Sequence, residues 1–225
     1  MRIIVAMTGA TGAIIGIRLL QALRSISDVT VDLIISKWAR VTIETETDYS
    51  YQDLVSLADQ VHSSADVSAS IASGSSLTSG MIICPCSMKT VAGICTGYAD
   101  NLILRAADVV LKERRKLILV TRETPLNEIH LQNMLALCRM GAVILPPMPA
   151  FYNRPQTINE LVDHWVARVL DQIGLENNLS ARWKGIHAGV NPLPLRVDRP
   201  RKGVQRTSSG SAATKRISED GGTTQ

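Results

Sequence analysis

Short apolar runs alternate with longer stretches of helical period along most of this 225-residue chain. Ile3-Ile4-Val5-Ala6-Met7, Val29 to Ile35, Met81 to Cys84, Lys116 to Val120 and Ala142 to Leu145 are nearly continuous in apolar residues. Such runs predict five strands buried on both faces, because a strand with one wet face would alternate. Segments 12–25, 38–47, 88–96, 101–114, 127–140 and 157–173 repeat apolar residues at the three-and-four spacing of helices. Strands of this kind separated by helices predict an α/β chain: a doubly wound parallel sheet, Rossmann-like or flavodoxin-like, with right-handed crossovers. Residues 49–80 read as less ordered, with a loop signal at Ser73-Gly74-Ser75-Ser76 and only a short helix near 51–60. Residues 186–225, rich in Gly, Ser, Thr, Pro and Arg, predict a flexible basic tail behind a single domain at 1–185.

Charge narrows the partners. Seven of the 24 Lys and Arg and three of the 20 acids lie beyond Gly185, which leaves 17 of each sign in residues 1–185. A neutral body offers no electrostatic footprint for nucleic acid. No apolar stretch reaches the roughly 20 residues that cross a bilayer, and the first apolar run is too short for a signal peptide. The expectation is a soluble, cytoplasmic protein. Cys84, Cys86, Cys95 and Cys138 have neither a second close pair nor a nearby His, so buried thiols are expected and a metal site is not.

Ligands of an open parallel sheet bind beyond the carboxyl ends of its strands. The five ends run into Thr8-Gly9-Ala10-Thr11-Gly12, Ser36-Lys37, Cys86-Ser87-Met88-Lys89-Thr90, Thr121-Arg122-Glu123-Thr124-Pro125 and Pro146-Pro147-Met148-Pro149. Gly9, Gly12 and Gly16 do not match a dinucleotide fingerprint, and Ser36 stands where an acid would hold a ribose. A mononucleotide fits that turn better, although packing glycines would leave the same letters. Ser87 to Thr90 opens a helix and reads as an anion cradle or as plain N-capping. Arg122-Glu123 reads as a cation and a proton-transfer carboxylate beside a ligand, or as a surface ion pair. Glu46 competes with Glu44 and Asp48 on what looks like a solvated helix face, and Lys112, Arg114, Arg115 and Lys116 look like a solvated helix end. Phe151-Tyr152 follows a proline-shaped loop as either a site or a core anchor. His62, His130, His164 and His187 follow no predicted strand end and read as surface or satisfied helix histidines.

Met7-Thr8-Gly9-Ala10-Thr11-Gly12-Ala13, Ile35-Ser36-Lys37, Glu44-Thr45-Glu46-Thr47, Ala72-Ser73-Gly74-Ser75-Ser76 and Cys84-Pro85-Cys86-Ser87 together resemble the UbiX/Pad family of flavin prenyltransferases. Asn101-Leu102 through Asp108, Leu111 through Arg115, Ile129 through Leu135 and Phe151-Tyr152-Asn153 extend the resemblance over residues 1 to about 184. Ser36-Lys37-Trp38-Ala39, Ser87-Met88-Lys89-Thr90 and a shortened 49–71 segment resemble the branch of hydroxyarylic-acid decarboxylase B components. The resemblance implies an FMN-binding, flavodoxin-like subunit, commonly a homo-oligomer of twelve, with sites shared between subunits. It implies transfer of a dimethylallyl group from dimethylallyl phosphate to N5 and C6 of reduced FMN, without a metal. Prenylated FMN would then pass to a UbiD-type decarboxylase. FMN would contact Gly9, Ala10, Thr11, Ser36, Ser87, Met88, Lys89, Thr90 and Arg122. The allylic phosphate would meet Lys112, Tyr152 and Arg168. Glu123 and Glu46 would move protons, helped by Ser73 and the loop hydroxyl at Thr11, and Trp183 would close the pocket. Thr11 replaces the family's usual serine, and the short 49–71 segment lacks a region that carries an aromatic lid in some members. The choice between monophosphate and diphosphate donor therefore stays open. Two other readings are a flavin-dependent cysteinyl decarboxylase, which would want a histidine beside the flavin, and a non-catalytic flavin-binding accessory subunit.

Overall fold

The computed structural model describes residues 1–185. Its strands are β1 (Arg2–Met7), β2 (Thr30–Ile35), β3 (Gln60–Ser63), β4 (Gly80–Cys86), β5 (Lys116–Thr121) and β6 (Val143–Ile144). All pair in parallel, in the order β3-β2-β1-β4-β5-β6. The helices are α1 (Ala13–Arg24), α2 (Lys37–Glu46), α3 (Tyr51–Val55), α4 (Met88–Thr96), α5 (Leu102–Lys112), α6 (Glu128–Arg139) and α7 (Ile158–Ile173). Along β1 the side chains divide between two cores. Ile3, Val5 and Met7 pack with α1, α2 and α7, while Ile4 and Ala6 pack with α4, α5 and α6. Both faces of the central strands are therefore dry, which is why their sequences show no alternation.

The structure corrects the reading of residues 49–80, which are built rather than loose. Ser50 and Asp53 form a reciprocal capping box on α3, β3 pairs with β2, and Ser70–Ala72 makes a 3-10 turn. A sixth strand thus joins the five expected. Its residues Gln-Val-His-Ser hide it because a four-residue edge strand needs little apolar surface. His62 consequently lies on a strand, not on a helix or at the open surface. Its Nε2 sits 2.8 Å from Asp32 Oδ1. Asp32 is 2% exposed and accepts from Arg2 Nε at 2.6 Å and Nη2 at 2.9 Å. Burial pushes the Asp32 carboxyl up, but hydrogen bonds and charge from Arg2 and His62 outweigh it and hold it below the usual range. At the other edge, the strand expected over Ala142 to Leu145 contracts to Val143–Ile144. The tail expected at 186–225 lies outside the described residues.

The strand order reverses between β1 and β4, so the turns after these two strands lie side by side. Buried Thr8 ties them. Its hydroxyl donates to Pro85 O at 2.8 Å and accepts from the Ser87 amide at 2.9 Å.

Candidate active site

Three helices begin around one cavity of about 290 Å³ at this switch point. Ser36 caps α2 by accepting from the Ala39 amide at 3.0 Å. Ser87 caps α4 by accepting from the Thr90 amide at 3.4 Å, and Asn101 caps α5 by accepting from the Leu104 amide at 3.1 Å. All three caps line the cavity, together with Lys37 and Lys89. Each cap satisfies one amide of its first turn, and a helix start has four to satisfy. Three positive dipole ends and two ammonium groups make this chamber a receptor for a polyanion. The wall nearest β1 is Gly9, where an added Cβ would lie 2.5 Å from the Cβ of Trp38. Any side chain there would push α2 away from the chamber. Gly12, at φ +97°, then turns the chain into α1.

Glu46, at the last turn of α2, reaches back to that turn. Its Oε2 accepts from the Gly12 amide at 2.8 Å and the Ala13 amide at 3.0 Å. A carboxylate at the start of α1 matches the helix dipole and holds the Thr11 loop in place. Charge spacing alone suggested a solvated face for this residue. The contact separates it from Glu44 and Asp48.

Beyond the Thr11 loop lies a second cavity of about 560 Å³, bounded by Arg122, Glu123, Thr124, a run of prolines and Trp165. The Arg122 amide donates to Cys86 O at 3.1 Å, which stacks the β5 turn against the β4 turn. Glu123 Oε1 accepts from the Thr124 amide at 3.1 Å. Opposite these polar groups, Pro146, Pro147, Pro149, Leu126 and Met148 form an apolar wall, and Trp165 Nε1 pins it by donating to Met148 O at 2.7 Å.

A third cavity, about 260 Å³, holds Tyr152, Arg168 and Trp183. Tyr152 meets Trp183 edge to face, with centroids 5.4 Å apart. Arg168 Nη1 donates to Asp171 Oδ2 at 2.7 Å, and Arg182 Nη2 to Asp171 Oδ1 at 2.8 Å. Between the second and third cavities lies another of about 300 Å³. It shares Pro146, Met148 and Trp165 with the former and His164 and Arg168 with the latter. Arg122 and Glu123 therefore line one end, and Arg168 and Tyr152 the other, of a row of neighbouring cavities with shared walls, here called the groove.

Two expected site residues are elsewhere. Ser73 and Lys112 sit at the amino edge of the sheet, a strand's length away, or roughly 20 Å. There Arg115 donates to Gly74 O at 2.7 Å and Ser76 O at 2.6 Å. A Cβ added at Gly74 would fall 2.8 Å from Lys112 Nζ, so Lys112 lies against the Ser73 turn. Within one chain neither residue joins the groove. The Met88 side chain is buried in the core under α4, which leaves its backbone for any contact with a ligand in the chamber. The Ala10 side chain is buried as well. Lys37, from the second strand end, lines the chamber, and so do Trp38, Ser64 and Asn101, which lie at none of the five predicted strand ends. The N-cap signal at Asn101 was readable. Ser64 follows β3 and went unread with it. Cys84 and Cys86 are fully buried, and burial pushes both thiols far up, so neither supplies a thiolate.

The Flavoprotein family model matches residues 1–170. The chain is 61% identical over 191 residues to an Escherichia coli O157:H7 protein named "Probable UbiX-like flavin prenyltransferase", covering 85% of this chain and 97% of that one. Among solved structures it is similar to the dodecameric FMN-dependent UbiX-like decarboxylase from E. coli O157:H7. The TM-score is 0.81 at 62% identity, over 82% of this chain and 100% of that one. It is also similar to AnUbiX (PadA1) in complex with FMN and dimethylallyl pyrophosphate, with a TM-score of 0.80 at 54% identity, over 82% and 97% of the two chains.

Proposed function

The chain belongs to the Flavoprotein family, among its UbiX-like flavin prenyltransferases, and we propose that it joins a dimethylallyl group to reduced FMN. The observation that carries this reading is the chamber where three helix N-termini meet two lysines, opening beside a groove with an apolar wall. The chamber suits the FMN phosphate, held by Ser36, Ser87, Lys89 and Thr90 with Lys37 added to the set. The isoalloxazine then lies along Gly9, Ala10 and Thr11 toward Arg122.

The donor is an allylic phosphate ester. Its carbon–oxygen bond breaks with the electron pair leaving on the phosphate, whose growing charge needs cationic and hydroxyl donors. Arg168 and Tyr152 supply these within the groove. The proline wall and Trp165 keep water from the allylic carbon, which would otherwise be hydrolysed. Bonds form from that group to N5 and C6 of the flavin. The proton lost from N5 leaves with the phosphate, and the one lost from C6 balances the one gained by the allyl double bond. Glu123 is the base or acid placed for these transfers. Glu46 acts by holding the Thr11 hydroxyl in position. Trp183 covers the donor through its contact with Tyr152.

Lys112 and Ser73 come to this site from a neighbouring subunit. An edge that faces away in its own chain can face the groove of another, which accounts for a closed homo-oligomer such as a dodecamer. The product, prenylated FMN, is consumed by a separate UbiD-type decarboxylase. No helix among the described residues is long and apolar enough to cross a membrane.

The test is anaerobic. Purified full-length protein is mixed with reduced FMN and dimethylallyl phosphate or its diphosphate, and the released flavin is weighed by mass spectrometry. A flavin heavier by one five-carbon unit is expected with at least one donor. Unchanged flavin with both would defeat the proposal.

A further inference from the structure

His164 stands one helical turn before Arg168 on α7 and is 7% exposed. Prenyl transfer itself makes no use of it. Its ring meets that of Tyr152 edge to face, with centroids 5.7 Å apart at 82°. Its Nδ1 lies 2.9 Å from Ser180 Oγ, and Asn153 Nδ2 donates to the same oxygen at 3.3 Å. Three stretches of chain therefore meet at one side chain. They are the loop bearing Tyr152 and Asn153, the helix bearing Arg168, and the segment bearing Ser180 and Trp183.

The hydrogen bonds run in one direction when the ring is neutral. Asn153 donates to Ser180, and the Ser180 hydroxyl donates to an unprotonated Nδ1. Burial disfavours the imidazolium, Arg168 repels it, and the opposing pull of Asp171 does not offset them, so the ring titrates below its ordinary value. Arg168 and Asp171 from α7, Tyr152 from the loop and Arg182 from the following segment are the charged or titratable groups around it.

We propose that His164 is a positioning residue for the donor phosphate, setting Tyr152 and the Ser180–Trp183 segment so that the Tyr152 hydroxyl and Arg168 bear on one anion. This rests on the prenyl-transfer reading of the same groove. Its physical basis is that Tyr152, on a loop, has no helix or strand to orient it. Its described ring contacts are His164 and Trp183. His164 is hydrogen-bonded to Ser180, and Trp183 follows Ser180 in the same segment.

Full-length His164→Ala, His164→Gln and Ser180→Ala test this with two readouts. One is the KM for dimethylallyl phosphate at saturating reduced FMN. The other is calorimetric titration of the FMN-loaded protein with inorganic phosphate, which needs no turnover. Both alanine variants should raise the KM and weaken phosphate about tenfold, the effect of losing the hydrogen bond that a displaced Tyr152 no longer gives the anion, with FMN affinity unchanged. His164→Gln, whose carbonyl can still accept from Ser180, should recover most of the loss. Unchanged phosphate affinity in the alanine variants, an equal loss of FMN affinity, or a glutamine variant no better than alanine would overturn the inference. If His164→Ala fails to fold, Ser180→Ala removes the same bond from its half-buried end and decides the matter by the same two readouts. A wild-type protein that binds phosphate yet prenylates nothing would instead sink the prenyl-transfer reading.

Discussion

The two edges of the sheet treat polar side chains in opposite ways. At the amino edge, Asp32 is closed off by Arg2 and His62, and Arg115 gives its donors to the carbonyls of Gly74 and Ser76. At the carboxyl edge, Ser36, Ser87 and Asn101 each cap one helix and face a shared cavity. The difference follows from topology. In a parallel sheet with helical crossovers, helices start at the carboxyl edge and end at the amino edge. Uncapped amides and positive dipole ends therefore gather on one side, where like poles cannot satisfy one another. The other side receives helix ends, matched here by Arg24 in the last turn of α1 and Lys112 in that of α5. One edge settles its charges internally, and the other attracts an anion.

The contrast is most exposed to test at Glu123. Glu123→Gln should lower kcat by about 10²–10⁴, the range for a lost acid–base group, with FMN still bound. Turnover within twofold of wild type would remove the carboxyl edge's claim to the proton transfer. Next comes the question of whether the amino edge serves a neighbour. Lys112→Ala and Arg168→Ala should each reduce kcat/KM about 10–100-fold by removing a charged hydrogen bond to phosphate. Dissociated and reassembled together, the two impaired proteins should regain activity, because mixed oligomers contain sites with both cations. No recovery would place Lys112 outside the shared site.

The smallest effect on turnover is expected at Asp32. Asp32→Asn should cost about 1.5–3 kcal/mol of stability, since it removes the charged hydrogen-bond partner of a partly exposed Arg2, and should leave FMN affinity unchanged. The folded Asp32 carboxyl titrates below its unfolded value of 3.8. Its stabilisation is therefore fully present above that pH and is lost as pH falls through the lower folded value. Thermal melts of wild type and variant should stay well separated near neutrality and converge below about pH 4. A constant gap across that range would show that the carboxylate's charge is not what holds the amino edge.

Much of the sheet was legible because its central strands have dry neighbours on both faces. Ile3 through Met7 and Leu117 through Val120 had no solvent side on which to place a polar residue. Strand β3 was not, because an edge strand satisfies His62 through Asp32 of the next strand, and no local pattern records a partner 30 residues away. The same holds at the site. Hydroxyls and charges after each strand marked the carboxyl edge as the place to look, since ligands of such sheets bind there. Helix spacing could not choose among Glu44, Glu46 and Asp48, because the choice depends on which of them reaches the amides of Gly12 and Ala13.

Apolar period and residues adjacent in the chain were enough to set the central sheet, its helices and the edge that gathers chemistry. Three-dimensional packing alone brought Asn101 into a chamber with Ser36 and Ser87, joined His164 to Tyr152 and the Ser180 segment, and put Lys112 on the far edge. Each of those facts is a meeting of distant segments. Strand order and helix phase create such meetings, and neither is written in any one stretch of residues.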